Sequence, residues 1–435
     1  MIRQLWDSVT LGSLYRRHVL VSSLTSIGLY GFGLVTGPIL ARALGPAGRG
    51  DIAAVIAPAT VLGLVLAFGM PTAAAYFVDT VPENQLLVTA TSFGLVVGVP
   101  ICGVLWFLVP TYLSGNSAAA VTWARVVLVI LPLSVGASSA LEVRRRLKPG
   151  ISWNCWRSTP IVVPAVAIVF LAVADRLTLH SFFAAYTLGA LLPIVFLLSR
   201  LAECRPWPRP SFSTFRLMLP YSWRAASIAA STSLTSRLDQ IVLVGIVTPA
   251  QLGLYAVAAM VASVTNVLTS GLSASLFGHL RGESCEARAD ARFLHTMLAT
   301  LLISSVVAVA LALFAPVVLR VVFGDQFAPA APALRFLLLG SVAYDMVGVI
   351  TTKLFADGRP GEAAWSSLLG TIITVIGLIV WAPRSGIKGA AMVTSIAWAS
   401  QVVFLVARGG IRRPSSRRPL AMLPSQPPSP IPNNG

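Results

Sequence analysis

The sequence predicts an all-α integral membrane protein of about 12 transmembrane helices, arranged as two six-helix bundles related by an internal parallel repeat. Three observations lead there. Of the 435 residues, 56% are apolar and only 11% charged, with a mean hydropathy of +0.81. A soluble chain carries roughly twice that charged fraction, so a soluble enzyme, a disordered chain and a disulfide scaffold are excluded together. The apolar residues fall in long continuous runs, and at about 20 residues per crossing twelve crossings occupy roughly 240 residues, a little over half the chain. The second six runs also resemble the first six.

Taken in order, the runs lie near 19–41, 52–78, 86–109, 120–141, 159–174 and 178–199, then 219–246, 251–279, 294–319, 333–355, 363–382 and 387–407. Each must be a helix, because an open backbone cannot cross hydrocarbon with unsatisfied N–H and C=O groups. The alternating ten-residue segments of a membrane β-barrel are missing. Before the first run, Ile2, Leu5, Trp6, Val9, Leu11, Leu14 and Tyr15 fit a short interfacial helix. The run itself is too long and too rich in Gly for a cleaved signal, so it reads as a retained span. Gly28, Gly31, Gly33 and Gly37 with Pro38 make it closely packable and bendable, and Pro71, Pro100, Pro132, Pro164 and Pro193 interrupt later spans. The organisation is therefore a cytoplasmic interfacial segment (1–18), a first bundle (19–200), a cytoplasmic linker (201–218), a second bundle (219–407) and a disordered tail (408–435) rich in Pro, Ser and Asn.

Twelve spans put both ends on one side, and the cations choose it. With the N-terminus inside, all but nine of the 32 Lys and Arg fall in cytoplasmic segments. The nine are Arg42, Arg49, Arg125, Arg176, Arg237, Arg320, Arg335, Arg384 and Lys388. Both termini are accordingly expected in the cytoplasm, so most of the net charge of +17 is an orientation signal. Cys155, Cys204 and Cys285 then lie on the reducing side and Cys102 within a span, with no disulfide or metal spacing. The segment RRRLKPGISWNCWR (144–157) interleaves Arg with Trp153 and Trp156; bounded by spans, it suits anionic lipid headgroups and not nucleic acid.

The repeat is legible where Pro46 is set against Pro249. PAGRGDIAAV then aligns with PAQLGLYAVA, sharing Pro, Ala, Gly and a following Ala at the start of the second and eighth spans. Arg125 falls against Arg335, and Leu147-Lys148-Pro149 approximately against Gly358-Arg359-Pro360, after an insertion of about seven residues. Six spans per half make the repeat parallel, its axis along the membrane normal.

Five stretches carry a family resemblance: PILARALGPAGRGDIAAV (38–55), SRLDQIVLVGIVTPAQLGLYAVAAM (236–260), VVFGDQFAPAAPALRFLLLG (321–340), ADGRPGEAA (356–364) and GIKGAAM (386–392). Each is degenerate alone; as an ordered set they resemble the multidrug/oligosaccharidyl-lipid/polysaccharide exporter superfamily, and within it the Wzx-type polysaccharide flippases. The resemblance implies two bundles forming a V and the flipping of a lipid-linked oligosaccharide by alternating access. It also implies a place in the bacterial cytoplasmic membrane, and pathway glycosyltransferases or a polymerase as partners.

Ionisable groups inside the membrane are costly and point to function. Arg237 and Asp239 in the seventh span and Asp345 in the tenth are the deep ones. Two residues apart, Arg237 and Asp239 diverge on a helix, and a link from Arg237 to Asp345 or solvation in a cavity are the alternatives. Arginine matches a diphosphate because its planar fork donates two hydrogen bonds to phosphate oxygens. The substrate-binding candidates are Arg237 and then Arg42, with Arg125 and Arg335 near the cavity mouth or snorkelling. Thr232, Ser233, Thr235, Ser236, Gln240 and Asn266 could line a sugar path or bond between helices. Asp345 and Asp239 are the coupling candidates for H+ or Na+, and no cofactor is expected. The first span holds no acid, unlike many proton-coupled drug exporters of the superfamily. Neither a Walker A sequence nor HExxH, GxSxG or zinc-spaced Cys/His is present, so an enzyme is not expected. The remaining alternative is a cation-coupled exporter of small amphiphiles.

Overall fold

The computed structural model describes residues 2–148, 150–203, 209–233, 237–282, 286–357 and 359–409. Apart from short turns, the chain is helical in these stretches. The first half comprises α1 (Ile2–Ala67), α2 (Met70–Phe77), α3 (Glu83–Tyr112), α4 (Ala118–Leu147), α5 (Ile151–Val173) and α6 (Leu179–Ala202). The second comprises α7 (Phe212–Ser233), α8 (Leu238–Leu243), α9 (Pro249–Ala262), α10 (Val264–Gly282), α11 (Glu286–Leu313), α12 (Ala315–Val318), α13 (Ala331–Ala356) and α14 (Pro360–Ala407). A π turn (Leu319–Phe323) and a 3-10 segment (Asp325–Ala330) join α12 to α13.

Among the described residues nine helices are long and apolar enough to cross a membrane. Two are double: α1 kinks at Gly45 (φ 66°) and α14 at Gly386 (φ 56°). These left-handed positions suit glycine because no Cβ meets the following carbonyl. Counting each double helix twice, the described residues provide eleven crossings with α7 and α8 beside them, in keeping with an all-α membrane protein of about twelve spans. Large apolar side chains such as Val96, Phe107, Phe170, Val173 and Leu302 face outward, as a hydrocarbon solvent allows.

Helix ends are set by local chemistry. Ser117 accepts a hydrogen bond from the Ala120 N–H and starts α4, while Thr178 with Ser181 and Thr248 with Gln251 form reciprocal capping pairs at α6 and α9. Pro249 occupies the first turn of α9, where its missing N–H costs nothing.

Several boundaries differ from those the hydropathy runs predict. The fifth span begins at Ile151, not 159, because its polar start is built into the helix: Trp153 and Asn154 are buried, and Asn154 Nδ2 donates to the Gly150 carbonyl at 2.9 Å. The eighth run is divided at Ser263, whose hydroxyl donates to Met260 O at 2.7 Å. Residues 2–15 are continuous with the first span rather than a separate segment. Of the prolines expected to interrupt spans, Pro100, Pro132, Pro164 and Pro193 sit inside unbroken helices. Only Pro71 coincides with a break, following Phe68 and Gly69 at φ 44° and 70°. Gly37 is buried against the Met260 side chain of α9, while Gly33 has open space around its Cα, so the two do not act as one packing pair. Residues 204–208 of the linker, Cys204, Cys285 and the tail from 410 lie outside the described residues.

The two halves meet where α1 crosses α9. A Cβ on Gly50 would stand 1.8 Å from the Pro249 carbonyl oxygen, and one on Gly253 would stand 1.9 Å from that of Pro46. Gly50 aligns with Gly253 and Pro46 with Pro249, so the contact is reciprocal, the mark of a local two-fold relation between like surfaces. The repeat axis therefore runs through this backbone crossing, here termed the Gly45 end. At the opposite, Arg144 end, α7 packs on the first half through stacked Tyr76 and Tyr221 (4.4 Å), Phe93 and Phe215 (5.7 Å) and Phe68 against Trp223 (5.7 Å).

Candidate substrate cleft and ion site

At the start of α8, Arg237 and Asp239 present two candidates in opposite directions. Arg237, preceding α8, is exposed and has no hydrogen-bonded or ion-paired partner among the described residues. Its charge acts across the halves on the Tyr186 hydroxyl of α6 as well as on Asp239. One turn on, the Ile241 carbonyl accepts from Tyr112 Oη of α3 at 2.8 Å, holding α8 against the first bundle.

Asp239 turns inward and is 3% exposed. Its Oδ2 accepts from Tyr255 Oη at 2.5 Å and its Oδ1 from the Gln240 N–H at 2.7 Å. Tyr255 Oη is also 3.2 Å from Thr394 Oγ1, so the carboxylate ties α8 to α9 and to the second arm of α14. Gln240, expected to line a sugar path, is buried beside it.

Asp345, in α13, is 2% exposed and is not linked to Arg237. Its Oδ1 accepts from Asn266 Nδ2 at 3.2 Å, while Oδ2 is buried without a hydrogen-bond partner. The Thr265 and Thr269 hydroxyls lie beside it. Thr265 donates along its own helix to Ala262 O and Thr269 to Thr265 O, leaving their lone pairs available. An unpaired buried carboxylate oxygen carries a cost comparable to its lost hydrogen bonds, which a proton or a small cation would remove. Asn266 thus belongs to the Asp345 cluster and not to the Arg237 face. No group of three or more His, Cys, Asp or Glu suited to a metal occurs among the described residues.

The other arginines are held locally. Arg42 donates through Nε to Val322 O (3.1 Å) and through Nη2 to Val321 O, clasping the first bundle to the π turn of the second. Arg125 lies over the Trp106 ring at 5.4 Å, and Arg335 donates to Ala312 O at 3.1 Å. Each leans on the preceding span of its own bundle, so their equivalence in the repeat is kept while neither is turned toward Arg237. Thr232, Ser233, Thr235 and Ser236 have no described side chains.

Sequence reasoning missed Tyr255, Thr394, Thr265 and Thr269, which read as ordinary span residues. It also missed Asp51, 5% exposed, which accepts from Asn116 Nδ2 (2.7 Å) and Ser117 Oγ (2.5 Å). The available signal was a lone acid directly before the apolar run that begins at 52.

The chain matches the family described as "Polysaccharide biosynthesis protein" over residues 15–277. It is 21% identical over 276 residues to the "Probable low-salt glycan biosynthesis flippase Agl15" of Haloferax volcanii, a match covering 62% of this chain and 54% of the relative. The chain thus spans about half the length of that relative. To the "Succinoglycan biosynthesis transport protein ExoT" of Rhizobium meliloti it is 25% identical over 370 residues, 82% of this chain and 72% of the relative. Among solved structures the "Lipid II flippase MurJ, inward closed conformation" superposes with a TM-score of 0.73 at 13% identity, covering 90% of this chain and 87% of that one. An inward-facing "multidrug resistance MATE family transporter of the MOP superfamily" gives 0.72 at 16%, covering 88% and 94%. These likenesses carry the fold, and the family match carries the rest: the chain belongs to the polysaccharide biosynthesis protein family.

Proposed function

We propose that the protein translocates a polyprenyl-diphosphate-linked oligosaccharide across the cytoplasmic membrane by alternating access, for surface polysaccharide synthesis. Both termini are then cytoplasmic, and the Gly45 end faces outward. Arg237 carries this reading. It is a guanidinium at the start of α8, exposed and unpaired among the described residues, with its charge acting on Tyr186 of the other half. Such a charge is retained in hydrocarbon when something anionic visits it, and a diphosphate accepts its forked donors. Asp345, with an open buried oxygen, supplies the place where a coupling proton or sodium ion would bind; Asp239 is the second candidate, already engaged by Tyr255. The glycosyltransferases or polymerase of the pathway are the natural partners of a chain that delivers such a substrate.

The test is reconstitution of the full chain in vesicles with a labelled polyprenyl-diphosphate oligosaccharide. Translocation depends on the protein, and Arg237→Ala lowers its rate about tenfold or more, the loss of a charge-assisted hydrogen bond of roughly 1.5–3 kcal/mol. Wild-type flipping by that variant removes the assignment. A second reading, a cation-coupled exporter of small amphiphiles, is favoured by the Asp345 site. Ion-dependent extrusion of cationic dyes with no glycan translocation would select it.

A further inference from the structure

The turn between α4 and α5 gathers positive charge at the Arg144 end. Arg144, Arg145 and Arg146 occupy the last turn of α4, Lys148 follows it, and the first turn of α5 holds no acid. Among the described residues Glu142 pairs with Arg145 at 2.6 Å and Asp79 with Arg146 at 2.8 Å. Arg144 donates to Ser152 Oγ at 3.2 Å, and the exposed Lys148 ammonium has no partner among the described residues. Four adjacent cations thus meet two carboxylates, and the corner keeps a net positive charge.

Its depth follows from the helix it begins. α5 runs 23 residues from Ile151 to Val173, about 34 Å at 1.5 Å per residue against roughly 30 Å of hydrocarbon. Ile161, Val166, Phe170 and Val173 point outward from it, so this face meets lipid tails and its first residue lies at the headgroup boundary. There Leu147 is 45% exposed and Ile151 67%. Sinking these two side chains into the edge of the hydrocarbon takes them out of water, while the long stems of Arg and Lys carry their charge up to the phosphates. Beneath them the buried Trp153 ring lies against Arg157 at 4.9 Å and Arg145 at 6.0 Å. The guanidinium groups are therefore held in place rather than carried on free stems.

We infer that the corner between α4 and α5 is a docking surface for the anionic phospholipid headgroups of the adjoining leaflet, with Arg145, Arg146 and Lys148 toward the phosphates and Leu147 and Ile151 among the upper acyl carbons. Charge complementarity selects this occupant: a zwitterionic headgroup brings a cation of its own to the arginines, whereas an anionic one does not. Each Lys or Arg held near an anionic membrane surface strengthens attachment about fivefold. The inference is independent of the flippase reading, since it concerns the lipid around the chain and not the cargo.

The experiment titrates the full chain in neutral detergent micelles with phosphatidylglycerol, phosphatidylcholine or water-soluble glycerol phosphate, and native mass spectrometry counts the molecules retained. Wild-type protein retains phosphatidylglycerol about tenfold or more tighter than phosphatidylcholine. The triple variant Arg145→Gln, Arg146→Gln, Lys148→Gln loses that preference. A second triple variant, Arg216→Gln, Arg224→Gln, Arg408→Gln, removes as many exposed cations scattered over α7 and the end of α14 and keeps the preference within about twofold. Lys148→Gln alone, which breaks no ion pair, weakens phosphatidylglycerol about threefold to fivefold, and thermal melting establishes that each variant is folded. Equal loss in the two triple variants marks a diffuse response to net charge and overturns the site. Equal retention of the two phospholipids, or glycerol phosphate held as tightly as phosphatidylglycerol, overturns the lipid assignment.

Discussion

The reciprocal crossing of α1 and α9 yields a quantitative prediction. At Gly253 a Cβ would lie 1.9 Å from the Pro46 carbonyl oxygen and 2.9 Å from the Gly50 nitrogen, all main chain and unable to rotate away. Reaching the roughly 3.4 Å of ordinary contact requires the backbones to separate by about 1.5 Å. Overpacking of this kind costs about 1–3 kcal/mol. Gly50→Ala meets the Pro249 carbonyl at 1.8 Å and should cost a similar amount. Because both substitutions are relieved by the same separation, their effects should not add: the double variant loses little more stability than either single one. The assay is thermal melting of the purified chain, with Gly33→Ala, whose Cβ meets nothing within 4 Å, as the reference. Wild-type melting of both single variants, or strict additivity in the double variant, would refute the reciprocal backbone contact.

Three further outcomes follow from the polar groups. Asp345→Asn should abolish the dependence of transport on an imposed ion gradient while leaving membrane abundance unchanged, read by flux with and without the gradient; unchanged gradient dependence excludes Asp345 as the coupling group. Asp51→Ala strips Asn116 and Ser117 of a buried acceptor and should lower stability by about 1–3 kcal/mol, measured by melting. Arg125→Ala removes a ring contact with Trp106 worth about 0.5–1 kcal/mol, and flipping assays should show transport near wild type, in contrast to Arg237→Ala.

The fold was readable because hydrocarbon demands long apolar helices, and a composition with so few charges has no other use for its runs. The alignment of Pro46 with Pro249 located the repeat, and the paired glycines four residues later turned out to be the contact itself. Less was readable where one residue type serves two environments. Asp239 and Asp345 look alike in sequence, yet Tyr255 engages the first and Asn266 leaves an oxygen of the second open. Partners from helices remote in sequence, such as Thr394 for Tyr255, leave no local pattern. Arg42, Arg125 and Arg335 show the converse: their charge drew notice, but carbonyls and a ring within reach hold all three. Trp153 passed as an interfacial aromatic, because burial of an indole N–H is a property of packing rather than of spacing.

The glycine crossing also sets a leverage. Gly50 and Ala67, the last residue of α1, are 17 positions apart, about 26 Å of helix at 1.5 Å per residue. A turn of about 11° at the crossing therefore carries that end through about 5 Å, more than the 4.4 Å between the rings of Tyr76 and Tyr221 just beyond it. A rotation too small to disturb packing within either bundle is enough to part the aromatic contacts at the other end, so the short side of the lever is nearly still while the long side opens.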